Sequence, residues 1–259
     1  MLAHVHIMKT AGQTICNILR QSFPGCHCDL VVPRPARAKD VRWAMRFYPR
    51  LKSIAGHCVV PYADLEAAGF RPRYFTFLRE PVERCVSHYQ FSVQKDGCSQ
   101  PFDRWLTRHA NYQTQTLCGH DDAGRAIELL EKRIGFVGLV ERFNESLVLL
   151  RRWSGRLDVR YRSRNIASDN RIKKQLLANP RTVALIREHH AADITLYAYT
   201  KNIVYPRYVE RFGAGLPAAV EKLEESLPGP TILSFTQFVA SAKRNMLYKP
   251  LTRTRRQAA

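Results

Sequence analysis

The chain has 259 residues, with 41 Lys+Arg against 22 Asp+Glu and a formal charge of +19. A hydrophobic content of 45% with 24% charged residues is ordinary for a globular protein, which excludes disorder of the whole chain and allows a sizeable core. The excess charge points to nucleic acid, an anionic membrane, or an anionic small molecule or polymer as partner. Three stretches hold all of it: residues 31–52 carry +6, 151–174 carry +7 and 243–259 carry +6.

In chain order, residues 2–8 read as a short apolar strand and 13–23 as a helix with Ile15, Ile18 and Leu19 on one face. Residues 33–52 are Pro- and Arg-rich with a weak helical pattern, 53–56 a short strand, and 61–68 a helix. Arg73 to Leu78 is aromatic and β-branched, hence a strand, and Pro81 opens a helix at its favoured first position. Residues 101–118 and 122–132 are expected to be helical, Ile134–Leu139 a buried strand, 142–153 a helix, 157–161 a strand and 162–170 a polar loop. Pro180 begins a long helix to about 201, and two short helices at 217–227 and 231–246 precede a basic tail. Strands alternating with helices predict an α/β fold: a central parallel sheet with flanking helices and a helical C-terminal extension. The expected division is a domain over 1–201 and the extension over 202–259.

No signal core or cleavage site is visible near the N-terminus, and the longest uncharged stretch, 226–242, contains Pro228, Gly229 and Pro230. These features predict no integral membrane association and a cytoplasmic protein with free thiols. Seven cysteines do not make a disulfide framework, although a Cys98–Cys118 bridge is conceivable. Cys26-His27-Cys28 lacks a second ligand pair, so no metal is expected.

Two motifs carry chemistry. Met8-Lys9-Thr10-Ala11-Gly12-Gln13-Thr14 lies between a buried strand and a helix. Backbone N–H groups, a helix N-terminus and Lys9 together suit a phosphate or sulfate, although the GxxxxGK[ST] pattern is absent. Arg79-Glu80-Pro81 follows the next strong strand, with Ser87 eight residues after Arg79. Arg79 would emerge at the strand's carboxyl end, where a guanidinium can grip phosphate bidentately. Two anion sites on neighbouring strands suit a nucleotide with phosphates at both ends.

With these motifs the chain resembles the sulfotransferases that use 3′-phosphoadenylyl sulfate (PAPS), in the branch that includes heparan sulfate 2-O-sulfotransferase and bacterial relatives. Phe77-Leu78-Arg79-Glu80-Pro81-Val82-Glu83-Arg84-Cys85-Val86-Ser87-His88-Tyr89 is similar to the family's 3′-phosphate element. Further matches are Gly56-His57, Gly138-Leu139-Val140-Glu141-Arg142-Phe143 and Asp193-Ile194-Thr195-Leu196-Tyr197, and the resemblance runs from about residue 2 to 201. Met8 and Gln13 depart from the family's loop, and residues 202–259 match nothing familiar.

The resemblance implies a P-loop-like sulfotransferase fold and in-line transfer of a sulfuryl group from PAPS to an acceptor hydroxyl, with PAP as product and no metal required. Lys9 would contact the 5′-phosphosulfate and act in catalysis. Thr10, Ala11, Gly12, Gln13 and Thr14 would cradle the 5′-phosphate, with Thr14 adding its hydroxyl. Arg79 and Ser87 would hold the 3′-phosphate, and Arg164 and Ser168 would lie in a loop closing over the nucleotide. His57 would be the base, with His120 a second candidate. His4 and His6 are placed on the first strand, and His189-His190 on a helix surface. The segment Asn111–Gln115 resembles a region near the family's active site without assignable roles. The acceptor would be a carbohydrate or glycan in a bacterial-type enzyme. Nucleic acid is not expected, and the stretch at 31–52, with Arg34, Arg37 and Arg42, would help bind an anionic acceptor.

Two rival readings explain parts of the pattern. A phosphate-loop nucleotide kinase or NTPase requires a complete phosphate-loop motif and a strand-end Asp for Mg²⁺, and neither is present. A non-catalytic polyanion- or nucleic-acid-binding protein explains the charge without the motifs, but no helix-turn-helix, zinc-finger or RNP signature occurs.

Overall fold

The computed structural model describes residues 1–155, 157–162, 169–228 and 235–252. Strands β1 (Leu2–Val5), β2 (His27–Asp29), β3 (Ser53–Gly56), β4 (Arg73–Leu78) and β5 (Ile134–Leu139) form one sheet in the order β2-β3-β1-β4-β5. Every neighbouring pair is parallel. The chain is therefore α/β with a central parallel sheet and flanking helices. All four residues of β1 are buried, as expected of a strand covered on both faces.

Helices α1 (Gly12–Ser22) and α2 (Ala38–Phe47) return the chain to β2 and β3. Between β4 and β5 run α3 (Pro81–Lys95), α4 (Phe102–Arg108), α5 (Tyr112–Cys118) and α6 (Ala123–Arg133). After β5 come α7 (Phe143–Ser154), α8 (Arg171–Leu177), α9 (Pro180–His189), α10 (Ala191–Tyr199), α11 (Tyr205–Phe212), α12 (Leu216–Glu225) and α13 (Phe235–Lys243).

The strand order places β1 at a switch point. The chain leaves β1 toward β2 and β3 on one side, then crosses to β4 and β5 on the other. In such sheets a crevice opens at the carboxyl ends of the two strands whose connections diverge, here β1 and β4. Val5 is in register with both Gly56 and Thr76, so the segments after β1, β3 and β4 emerge together.

Several elements differ from the sequence expectation. β2 has three residues, too few to show a period. The helix expected at 61–68 is a single 3-10 turn, Glu66–Ala68, held by Asp64 accepting from the Ala67 N–H and closed by Gly69 at φ 80°. The helix expected over 101–118 breaks at Asn111, whose φ is 46°, and the long helix from Pro180 breaks at His190. Residues 157–161 join no ladder, although Leu157 and Val159 are buried. Helices α8 and α11 had no clear sequence signal.

Beyond residue 201 the chain packs on both edges of the sheet. Tyr205 and Ser146 hydroxyls meet at 2.9 Å and Asn144 donates to Glu224 at 2.8 Å, which holds α11 and α12 on α7. At the other edge Arg244 pairs with Asp29 at 2.8 Å, and Tyr248 packs edge-on against Phe47 and Tyr48. The basic stretch at 31–52 therefore adjoins residues 243–252, the described part of the basic C-terminal stretch. All seven cysteines are free, Cys98 and Cys118 included. Among the described residues, no helix is long and apolar enough to cross a membrane, and no group of three or more His, Cys, Asp or Glu could hold a metal ion.

Candidate active site

The loop after β1 is bent by two residues in the left-handed region, Lys9 (φ 66°) and Ala11 (φ 62°), with Thr10 between them. Such alternation turns successive N–H groups toward one concavity. Non-glycine residues pay on the order of 1–3 kcal/mol for this conformation. The Thr10 side chain, fully buried, donates to the Ile7 carbonyl at 3.0 Å and pins the loop. The backbone N–H groups of Thr10, Ala11, Gly12 and Gln13 have no acceptor among the described residues. That of Thr14 donates to the Ala11 carbonyl at 3.0 Å, so of the five predicted cradle donors Thr14 has its N–H engaged and retains its hydroxyl.

Lys9 leans on α3, its ammonium 4.5 Å from the centre of the Phe91 ring. Burial lowers its pKa, and the Arg79 charge lowers it further, against Asp96. No carboxylate pairs with Lys9 among the described residues, which leaves a partly desolvated cation at the mouth of the cradle.

Arg79 stands beside it. Its Nη1 reaches the Lys9 carbonyl at 3.4 Å, and Nη2 pairs with Glu83 at 3.2 Å. Glu83 also binds Lys173 of α8 at 2.6 Å, so one carboxylate ties two cations. Ser87 lies half-buried farther along α3. The anion elements that are 70 residues apart in sequence thus touch across β1 and β4.

The polar groups behind Arg79 come from the segments without assigned roles. Fully buried Gln113 clamps the Arg79 backbone, accepting its N–H at 3.0 Å and donating to its carbonyl at 2.9 Å. Asp193 takes the N–H groups of Gln113 (3.2 Å) and Thr114 (2.7 Å), so it caps α5 from α10. In return Asn111 accepts the N–H groups of Ala192 and Asp193. Glu141 accepts from the Glu80 N–H and the Tyr197 hydroxyl, both at 2.8 Å. The segments around 80, 111, 141 and 193 therefore converge on one job, holding the turn from β4 into α3. His190 is fully buried, with Nδ1 accepting from the Asn111 N–H at 3.1 Å, which corrects its placement on a helix surface. Arg84 is fully buried as well, 5.2 Å from the Tyr112 ring centre and 3.4 Å from His88 Nδ1.

His57 follows β3 directly. Its Nδ1 lies 2.6 Å from the His6 carbonyl oxygen. A carbonyl only accepts, so Nδ1 carries the proton and Nε2 presents a lone pair. One face of the ring stacks on His6 at 4.2 Å between centroids, while the residue stays exposed. Desolvation on the packed side lowers the His57 pKa, and the bond to the His6 carbonyl pulls it partly back. His57 is therefore neutral at pH 7, oriented, and open at Nε2, as a base requires. Gly56 precedes it because a Cβ there would sit 2.4 Å from the Leu30 carbonyl. His120 is exposed after α5, beside the Tyr62–Gly119 contact, with no contact to Lys9, Arg79 or His57 among the described residues. Arg164 and Ser168 lie outside the described residues. Asn170 and Lys173, which follow them, bond Gln90 of α3 at 3.2 and 3.1 Å.

No family model matches the chain, and no curated protein matches it. Among solved structures, a sulfotransferase from Alicyclobacillus acidocaldarius is 12% identical over 72% of this chain and 94% of that one, with a TM-score of 0.37. That likeness is too slight to assign an activity, so the chemistry rests on the site's own residues.

Proposed function

We propose that the protein is a sulfotransferase that moves a sulfuryl group from PAPS to an acceptor hydroxyl. The observation that carries the reading is the contact of the Lys9 loop with Arg79, which brings N–H groups without an acceptor among the described residues beside two cations that follow adjacent strands. The residues fit the nucleotide: four N–H groups without an acceptor among the described residues and Lys9 for the 5′ end, Arg79 and Ser87 for the 3′-phosphate. When bound, PAPS supplies the activated sulfuryl group. Lys9 holds its positive charge where negative charge grows on the departing oxygen. Arg79, fixed through its backbone by Gln113, holds the other end of the nucleotide. His57 Nε2 takes the acceptor's proton while Nδ1–H stays on the His6 carbonyl.

For the acceptor, an anionic glycan is the best-supported class. The Ala36 N–H donates to the Cys58 carbonyl at 2.8 Å, which lays the loop before α2 against the residue after His57. Arg34 is engaged by Asp40 at 2.7 Å, but Arg37 is exposed. Arg42 is exposed as well, so Arg37 and Arg42, more than Arg34, are the residues of this stretch left to meet an anionic acceptor.

The test is a thermal-shift and titration series with PAP, ATP and duplex DNA, followed by transfer from labelled PAPS to a panel of glycans and small alcohols. Stabilisation by PAP and not by ATP is expected. Salt-sensitive DNA binding with no response to PAP would overturn the reading. His57→Ala should keep PAP binding and lose transfer, and full activity in that variant would remove His57 as the base.

A further inference from the structure

The His6 side chain has no place in the chemistry above, yet His6 touches both halves of the site. Its carbonyl takes the Nδ1 proton of His57 at 2.6 Å, and its backbone N–H reaches the Gly56 carbonyl at 3.3 Å. Its ring lies under the His57 ring at 4.2 Å and against the His4 ring at 5.5 Å. On the cradle side the same ring abuts Gly12: a Cβ on Gly12 would fall 1.9 Å from both Cδ2 and Nε2 of His6. Gly12 is therefore glycine because the His6 ring occupies the space a side chain would need. One imidazole is a common wall for the base and for the phosphate loop.

We infer that His6 is a positioning residue that couples the cradle to the base, setting the orientation and tautomer of His57 through its carbonyl and ring while its edge fixes the loop at Gly12. The inference rests on the sulfotransferase reading for its catalytic consequence, but the mechanical coupling stands on the contacts alone. Two further facts agree with it. Burial, then the His57 charge, pushes His6 down to about 3, so His6 stays neutral at working pH and leaves the proton to His57. Behind it, His4 is fully buried and stacked on Phe75 at 5.0 Å, so the column of rings ends in the core and cannot slide away. The charged or titratable groups facing the pair are His4 of β1, which ends at Val5 and not at residue 8 as expected, His88 of α3, and Asp29 and Arg20 on the β2 side.

The test uses ¹⁵N-histidine NMR on the full chain without ligand, with PAP titration and transfer assays alongside. Wild type is expected to show His57 as the Nδ1–H tautomer. Gly12→Ala should shift the His57 resonances through the His6 ring, weaken PAP binding, and lower kcat about 10- to 100-fold, the usual loss when a reacting group is displaced by about 1 Å. His6→Ala keeps the carbonyl and so the Nδ1–H tautomer, but loses the stack: the His57 resonances should shift and kcat fall similarly, with PAP affinity within about 3-fold of wild type, since the Gly12 backbone remains in place. His6→Phe should return the His57 resonances and kcat toward wild type by restoring the stack. The double variant Gly12→Ala/His6→Ala, which gives the new methyl room, should regain PAP binding but not kcat.

A wild-type Nε2–H tautomer, or His57 resonances unmoved in Gly12→Ala, would overturn the coupling. So would a double variant that fails to regain PAP binding while folding normally. If Gly12→Ala does not fold, the wild-type tautomer and the His6→Ala spectrum still decide. Coupled shifts in a protein that binds no PAP would uphold the shared wall and remove the sulfotransferase reading.

Discussion

Gln113→Met removes the clamp on Arg79 at constant volume. The wild-type amide makes two hydrogen bonds, at 3.0 Å from the Arg79 N–H and 2.9 Å to its carbonyl, from a fully buried position. Each bond contributes about 1 kcal/mol net, and stranding each backbone partner costs about 1–3 kcal/mol when water cannot reach it. Arg79 is partly exposed, so the lower half of that range applies and the loss is about 3 kcal/mol. For a chain of this size that lowers Tm by about 6–12 °C. Because Arg79 then loses its fixed direction, PAP affinity should fall about 10-fold, or about 1.4 kcal/mol. Thermal unfolding and PAP titration of the same preparation check both figures. A Gln113→Met protein that melts within about 2 °C of wild type and binds PAP normally would refute the claim that this amide positions Arg79.

Further predictions rest on other contacts. Lys9→Ala and Arg79→Ala should each weaken PAP binding about 10- to 100-fold, the loss of a charge-assisted contact worth about 1.5–3 kcal/mol, read by calorimetry. Glu83→Gln releases Arg79 from its carboxylate, so PAP should bind about 3-fold tighter, as expected for a partly exposed pair worth less than about 1 kcal/mol. Transfer requires neutral His57; since desolvation places its pKa below 6.5, the pH–rate plateau should extend below pH 6.5 and fall only as pH drops through the lowered value. Asp29 is buried, which alone would raise its carboxyl, but His27, Arg20 and Arg244 hold it well below the usual carboxylate range. Its contribution to stability is therefore intact above the unfolded pKa of about 3.9 and is lost as pH falls toward the folded value. Asp29→Asn should flatten that acid slope and make the C-terminal helix easier to cleave in limited proteolysis.

Much of the candidate site was legible because its candidate residues sit in short local segments. Lys9 to Thr14 and Arg79 to Ser87 each lie within one turn or helix, so their residue types and spacing show in the sequence. Strand β4 was visible from Tyr-Phe-Thr-Phe-Leu, while β2, three residues long, carries no period to read. The breaks at Asn111 and His190 were hidden because helical propensity ran through them. Each is set by a partner about 80 residues away, with Asn111 capping α10 and His190 accepting the Asn111 N–H.

The sequence by itself determined the α/β class, the two segments proposed to bind anions and the identity of the Gly-His pair after β3. Only the tertiary structure decided how they cooperate. Strand order brought Lys9 against Arg79, and the His6 carbonyl chose the His57 tautomer. Gln113, Glu141 and Asp193 acquired their work as supports. The physical reason is that a charged side chain advertises itself by type, whereas a support acts through backbone N–H groups and carbonyls that every residue carries. Which of those groups meet is settled when distant segments pack together.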